Sequence, residues 1–309
     1  MHSSGSGIRT IVERVRFYLD EPELNAKYTD DYVVRHLIGP AHADVFARIN
    51  LTSQTRFFLQ YDFACSGAGD YPLPPCINSV MSLQVIDELG GTPNSEITPR
   101  TLYHAEGPGW LIKGNPGAYV LGFYGSSPDS DQFLRINYTS NGDVQMHLGT
   151  GTLSHHTTYS KVALAATPTM GLVDRRTNAY AGQYLRIIPT TGPVEEVPIS
   201  SSYFSSGTWY VETTRLLSTT AGSVTYEIVP AAFTSMWDAI SCWAAMRLGI
   251  PRSKSAQKAA ELRTAYLASI KTCFDAHTYA NERMGLSIEK DTIDNNENGY
   301  PFRRPGQPQ

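Results

Sequence analysis

The chain has 309 residues, 41% of them hydrophobic and 11% aromatic, with 25 basic and 29 acidic side chains for a formal charge of −4. That is long enough to bury a core without disulfide or metal staples, and too apolar for wholesale disorder. No run of 18 apolar residues exists to span a membrane as a helix, the polar N-terminus lacks the apolar stretch of a secretory signal, and the near-neutral charge argues against nucleic-acid binding over the whole surface, though not against a local basic patch.

The two ends read as helical and the middle does not. Ile8, Ile11, Val12, Val15, Tyr18 and Leu19 recur at helical spacing over 8–20, and Pro22 marks the end. Thr29 is suited to cap a second helix, with Asp30 and Asp31 in the first turn where the helix dipole favours them. Val33, Val34, Leu37, Ile38, Val45, Phe46 and Ile49 continue its apolar face, and Gly39-Pro40 should kink or split it. From about residue 53 strand formers take over, first in 56–63 and 76–88, on either side of a Gly/Pro loop. Short strand-type runs recur at 121–124, 133–138, 144–148, 183–188, 208–212 and 225–228, and Asn141-Gly142 signals a hairpin. This pattern predicts an antiparallel sandwich or small barrel.

Helical spacing returns after Pro230. Trp237, Ile240 and Trp243 belong to one helix ended at Gly249-Ile250-Pro251. Leu262, Tyr266 and Ile270 lie on the apolar face of another, capped by Ser253 or Ser255 and running to about 282. Residues 285–309 have few apolar side chains and read as an extended arm. Two helices at each end cannot bury their faces alone. The expected fold is therefore α+β: a helical bundle from 1–52 and 230–284, a strand and loop connection over 53–104, and a large antiparallel β insertion over 105–229.

Motifs for chemistry are sparse. No GxGxxG or Walker-type loop occurs, and Gly149-Thr150-Gly151-Thr152 reads as a turn. Ser255-Ala256-Gln257-Lys258 matches SxxK without its SDN and KTG companions. His155-His156, His36, His42 and His277 lack zinc spacing and read as loop or helix-surface histidines. Cys65, Cys76, Cys242 and Cys273 form no CxxC and read as reduced, buried thiols. Asn50 and Asn137 head glycosylation patterns that mean little without secretion. Glu195-Glu196, Asp129 and Asp131 could supply a glycosidase pair, against the plainer reading of solvated loop acids. No catalytic residue, metal or cofactor is therefore assigned.

Two broader signals remain. Residues 230–309 carry ten basic and eight acidic residues, and 1–104 carry eight and twelve. Arg247, Arg252, Lys254, Lys258, Arg263 and Lys271 could line a mildly positive surface facing DNA phosphates, or be an ordinary solvated helix face. The 18 tyrosines suit protein contacts or sugar stacking, or plain core and cross-strand pairing.

Thr29–Ile38 (TDDYVVRHLI), Tyr71-Pro72-Leu73-Pro74 leading into Ile77-Asn78-Ser79-Val80, and the Ala-rich run Ala256–Ile270 together resemble the head-to-tail adaptors (connector or head completion proteins) of tailed bacteriophages, especially short-tailed ones. The resemblance covers about half the chain. It departs from the smallest adaptors, which are nearly all helical, in its β insertion. It implies a virion structural protein rather than an enzyme, assembled in the host cytoplasm as a homo-oligomeric ring, commonly dodecameric, beneath the portal protein. The helical core would form the wall of a channel passing genomic DNA, with Arg252, Lys254, Lys258 and Arg263 as its basic face. The arm would dock on the portal through Tyr300, Phe302, Arg303 and Arg304, aromatic and Arg anchors being strong interface residues. The insertion would meet a tail nozzle or tail fibres, and no membrane is involved. The rival readings are a carbohydrate-binding or glycoside-cleaving β module, and another tail component such as tube or fibre.

Overall fold

The computed structural model describes residues 7–19, 28–52, 59–99, 109–125, 127–142, 145–190, 192–230, 236–249 and 256–283. The class is α+β, with a large antiparallel β region between helices at the two ends. The expected arm, 285–309, lies outside the described residues, as do Ser253 and Ser255.

Helix α1 spans Gly7–Leu19, and its apolar stripe Ile8, Ile11, Val12 and Val15 is fully buried. Helix α2, Asp30–Val33, is capped by Thr29, whose hydroxyl accepts from the Tyr32 N–H at 3.2 Å. Gly39-Pro40 does not split the helical run. The backbone widens into a π turn over Val34–Ile38, where the Gly39 N–H donates to Val34 O, and helix α3 continues over Gly39–Thr52. Pro40 brings no N–H, so the wider turn absorbs the lost donor and the ring while the helical run continues.

Among the described residues the β region has fourteen strands, in three antiparallel sheets. Strands β1 (Leu59–Ala64), β3 (Ile77–Ile86) and β4 (Pro93–Ile97) form one sheet with β7 (Phe133–Ser140), in the order β1-β7-β3-β4. Strands β2 (Asp70–Pro72), β5 (Gly109–Lys113) and β6 (Val120–Tyr124) form a second, in the order β2-β6-β5. Because β7 lies between β1 and β3, hydrogen bonding crosses the expected segment boundary at 104/105. Asp62 of β1 and Arg135 of β7 face each other and form a buried bidentate pair, 2.8 and 2.7 Å, and Asp62 also accepts from the Gly90 N–H.

The third sheet closes. Strands β8 (His147–His155), β9 (Ser160–Ala163), β11 (Tyr184–Ile188), β12 (Glu195–Ser205), β13 (Thr208–Thr213) and β14 (Gly222–Val229) run in the order β8-β14-β11-β12-β13-β9, and β9 returns to β8. The result is a six-stranded barrel, with the short β10 (Met170–Gly171) added to the start of β8. Leu153, Val162, Leu185, Ile187, Val197, Ile199, Val211, Tyr226 and Ile228 fill its interior.

Asn141-Gly142 does not close a hairpin, because β7 and β8 belong to different sheets. Asn141 is instead tied to Cys76 O and Pro75 O, and Gly142, at φ +74°, passes so close to α3 that a Cβ would lie 2.9 Å from the Ala43 Cα. The glycine serves a close approach to a helix, not a tight turn. Gly149 and Gly151 likewise lie within β8 and not in a turn. Cβ atoms there would come within 3.0 Å of the Tyr226 hydroxyl and 2.9 Å of its ring, so bare backbone makes room for an aromatic side chain in a narrow barrel.

Helix α4 (Trp237–Gly249) is the shared partner of α1, α3 and helix α5 (Ala256–Arg283). α1 runs parallel to α4, with Gly7 against Trp237, Arg14 paired to Asp238 and Tyr18 beside Cys242. α5 runs antiparallel, with Tyr266 stacked on Trp243 and Cys273 near Asp238. The helical layer and the barrel meet at Glu227, which is fully buried. Its carboxylate accepts from the Gly7 and Ile8 N–H groups at 2.7 and 3.0 Å, and pairs with the buried Arg186 guanidinium. An anion at a helix N-terminus meets the unsatisfied N–H groups and the positive end of the dipole. Arg186 also pairs with Glu196 at 3.0 Å and lies over Trp237. A second tie runs from α2 to β10, where Asp31 accepts from the Gly171 N–H and Arg35 donates to Gly171 O.

Removing the Glu227 carboxylate leaves Arg186 buried with one partner fewer and strips α1 of its anchor. Glu227→Ala is expected to lower stability by about 3–5 kcal/mol in urea denaturation, whereas Glu96→Ala on the exposed β4 should stay within about 0.5 kcal/mol.

Candidate functional site

The residues expected to form a helical core come together. Ile240, Leu262 and Tyr266 are buried, and Trp237, Trp243 and Ile270 pack against the same core. Trp243 is held from three sides. Its indole N–H donates to Asp44 at 2.9 Å, its ring stacks on Tyr266 at 5.0 Å, and the Arg48 guanidinium sits 4.7 Å above it. Arg48 also reaches the Tyr266 face at 5.5 Å. This cluster joins α3, α4 and α5.

The expected basic face is only partly described. Arg247 donates to Asp44 at 2.8 Å, so part of its charge is answered within the helical layer. Arg263 and Lys271 are exposed on α5, and Lys258 lies on the same helix. Arg252 and Lys254 lie outside the described residues, as do Tyr300, Phe302, Arg303 and Arg304.

A second feature, unmarked in the sequence, is a cleft of about 680 Å³ on the outer wall of the barrel. It is lined by Thr150, Ile188, Ser223, Val224 and Thr225 of the strands, by Pro189, Thr190, Pro193, Val194 and Glu195, and by Ser218, Thr219 and Thr220. Seven of its lining residues, Thr150, Thr190, Ser218, Thr219, Thr220, Ser223 and Thr225, carry hydroxyls. Glu195 brings a carboxylate to this lining, and both its oxygens are engaged by Ser218 and Thr219 through two N–H groups and two hydroxyls, at 2.7–3.2 Å. Burial acts to raise its pKa, but these four hydrogen bonds outweigh burial and hold the carboxyl below its ordinary value. Glu195 thus holds the 218–219 loop, and the adjacent Glu196 pairs with Arg186. Asp129 and Asp131 lie in the loop leading to β7, which belongs to another sheet than the strand carrying Glu195 and Glu196.

The histidines need correction in one respect. His42 is not on the helix surface but buried against Phe46. Burial pushes its pKa down to about 4, against a backbone hydrogen bond at Gly142 that raises it. His147, inside the β region, is fully buried beside Tyr180 and Tyr226, and burial pushes it down to about 3. His155 is exposed, its ring held by Ser160 and Thr219 O. Among the described residues no group of three His, Cys, Asp or Glu side chains is disposed to hold a metal ion. The four cysteines are buried and form no disulfide, and burial raises the thiols of Cys65 and Cys273 to about 11. Asn137 is taken up in β7, where its amide donates to Ser82 and Gln84. Among the described residues no helix is long and apolar enough to cross a membrane.

The outer barrel carries a further cluster that composition alone could not single out. Tyr203 donates to Glu212 at 2.6 Å, Ser201 donates to the other Glu212 oxygen, and Lys161 lies 4.1 Å over the Tyr210 ring. It braces β9, β12 and β13. No family model, curated protein or solved structure matches the chain.

The two buried histidines set the acid response. Their folded pKa values lie below the ordinary 6.5, so the unfolded chain binds more protons as pH falls below 6.5, and stability declines. The Glu195 contribution is lost only at lower pH, below the ordinary 4.5. Between pH 6.5 and 4.5, His147→Phe should therefore reduce the slope of stability against pH by about 1.4 kcal/mol per unit, read from urea titrations across that window.

Proposed function

We propose that this chain is a structural assembly protein, a head-to-tail adaptor subunit of a tailed bacteriophage, that works as a member of a homo-oligomeric ring between portal and tail. The observation that carries this reading is the union of helices from the two sides of the β region: α1 and α3 from one side and α5 from the other pack on α4. The barrel sheet is tied to that layer through Glu227 and through Asp31. Such a layer suits a ring wall, with the β body outside it, free to meet nozzle or fibre.

Internal bracing supports the same reading. Asp44, Asp62, Glu195 and Glu227 each hold neighbouring backbone or cations. In this proposal the basic residues Arg252, Lys254 and Lys258 face the DNA channel, weakly enough to let DNA pass. Tyr300, Phe302, Arg303 and Arg304 anchor the arm to the portal, and multivalency in the ring offsets the ordering entropy of each arm.

Light scattering of the purified chain with its portal should show a portal-bound ring, and a truncation after Gly285 should lose portal binding while keeping the melting transition of the full chain. A truncated chain that binds portal as tightly as the full one contradicts the arm's role, and a full chain indifferent to portal contradicts the adaptor reading.

One observation favours a second reading, a carbohydrate-binding β module: the hydroxyl-lined cleft with its apolar strip of Ile188, Pro189, Pro193 and Val194. Sugars present the same mixture of hydroxyls and apolar faces. On that reading Thr150→Val with Thr225→Val should reduce glycan-array signal at least tenfold, and an array with no signal from the unaltered protein contradicts it.

A further inference from the structure

Among the described residues of α1 and α5, Phe17 and Leu267 are large apolar side chains that stay exposed. Phe17 on α1 is 79% exposed and Leu267 on α5 is 54% exposed. Each sits in a stripe of four-residue spacing: Glu13 lies one turn before Phe17, and Lys271 one turn after Leu267, both exposed. Since α1 runs with α4 and α5 against it, the two stripes point in opposite chain directions. When α1 of one copy is laid along α5 of another in that antiparallel sense, Phe17 on Leu267 brings Glu13 opposite Lys271. Both steps are four residues, about 6 Å of helix rise. An apolar contact and an opposite-charge contact are met in one register.

We propose that the Phe17–Glu13 stripe of α1 docks on the Leu267–Lys271 stripe of α5 in a second copy of this chain. This rests on the ring reading above and names the contact between neighbours. Charge complementarity selects the occupant, because α1 offers a carboxylate where α5 offers an ammonium. The contact joins two different surfaces, so it is heterologous: each copy has one of each to give, and repetition closes into a ring when the rotation allows. Thr264 and Thr272 on the α5 face turn their hydroxyls onto Ala260 O and Ala268 O of their own helix. Those hydroxyls need no water when the face is covered.

The test uses full-length chain with Phe17→Cys, with Leu267→Cys, and with both. The native thiols are buried, so the added ones react first with a short bis-maleimide. The double variant should give a ladder of covalent dimers, trimers and larger species, and a mixture of the two single variants should give dimers and nothing larger. Each single variant alone should stay a single chain. Dimers from Phe17→Cys alone overturn the heterologous pairing. A double variant that does not cross-link, while light scattering shows assembly with portal, overturns this contact and leaves the ring reading standing. A chain that neither cross-links nor assembles, alone or with portal, overturns both.

Discussion

The carboxylate of Glu227 is the point on which the rest of the structure depends. It sits on the last strand of the barrel, fully buried, and takes the first two amide protons of α1 from 220 and 219 residues away. A lone buried carboxylate would cost several kcal/mol in desolvation. Here the Arg186 guanidinium, the helix dipole and two N–H donors surround it, so the charge is stable only when barrel strands β11 and β14 and helix α1 are all in place. Gly7 is fitted to the same spot, since a Cβ there would meet the ring of Trp237. One buried charge therefore couples the start of the chain, the barrel and α4.

Two sets of buried side chains meet the two sides of that junction. The stripe of α1, the inner faces of α3 and α4, and the central strand β7 share one set of buried side chains, and the barrel interior forms a second. The polar groups between them are built as braces: Asp62 with Arg135 across the first sheet, Asp44 with Trp243 and Arg247 between helices, and Asp31 with Gly171 between α2 and β10. Breaking one partner of such a pair costs more than forming the pair contributes, so these contacts specify which surfaces meet more than they add net stability.

Local signals were legible in the chain. The spacing of Ile8, Ile11, Val12 and Val15 marks α1 and its buried face, Thr29 marks a cap, and the run of short strand segments marks an antiparallel β region. What was not legible depends on distance along the chain. Barrel closure requires β9 to pair with both β8 and β13, and no local pattern carries that. Asn141-Gly142 has the residues of a hairpin, but its glycine answers to α3, about 100 residues earlier. His42 reads as a surface histidine by composition and is buried because α3 turns the side that carries it and Phe46 to the Gly142 loop. Glu195 reads as a solvated loop acid or as one of a glycosidase pair, and its role in holding the 218–219 loop is hidden because only the fold brings Ser218 and Thr219 to it. The candidate arm and half of the basic face fall outside the described residues, so their roles rest on the resemblance.

The proposed function grows from the same geometry. Helices drawn from both ends of the chain make one layer, the β body is fixed to it through a buried charge, and the flanks of the layer present complementary stripes on α1 and α5. The proposal takes these as the properties of a part that is repeated and joined. The most direct measurement is a cryo-electron microscopy map of the full chain bound to its portal. The account predicts a closed ring in which α1 of each copy lies along α5 of its neighbour and the barrels stand outside. A map in which the copies meet through their barrels, with the helical layer facing solvent, would contradict it.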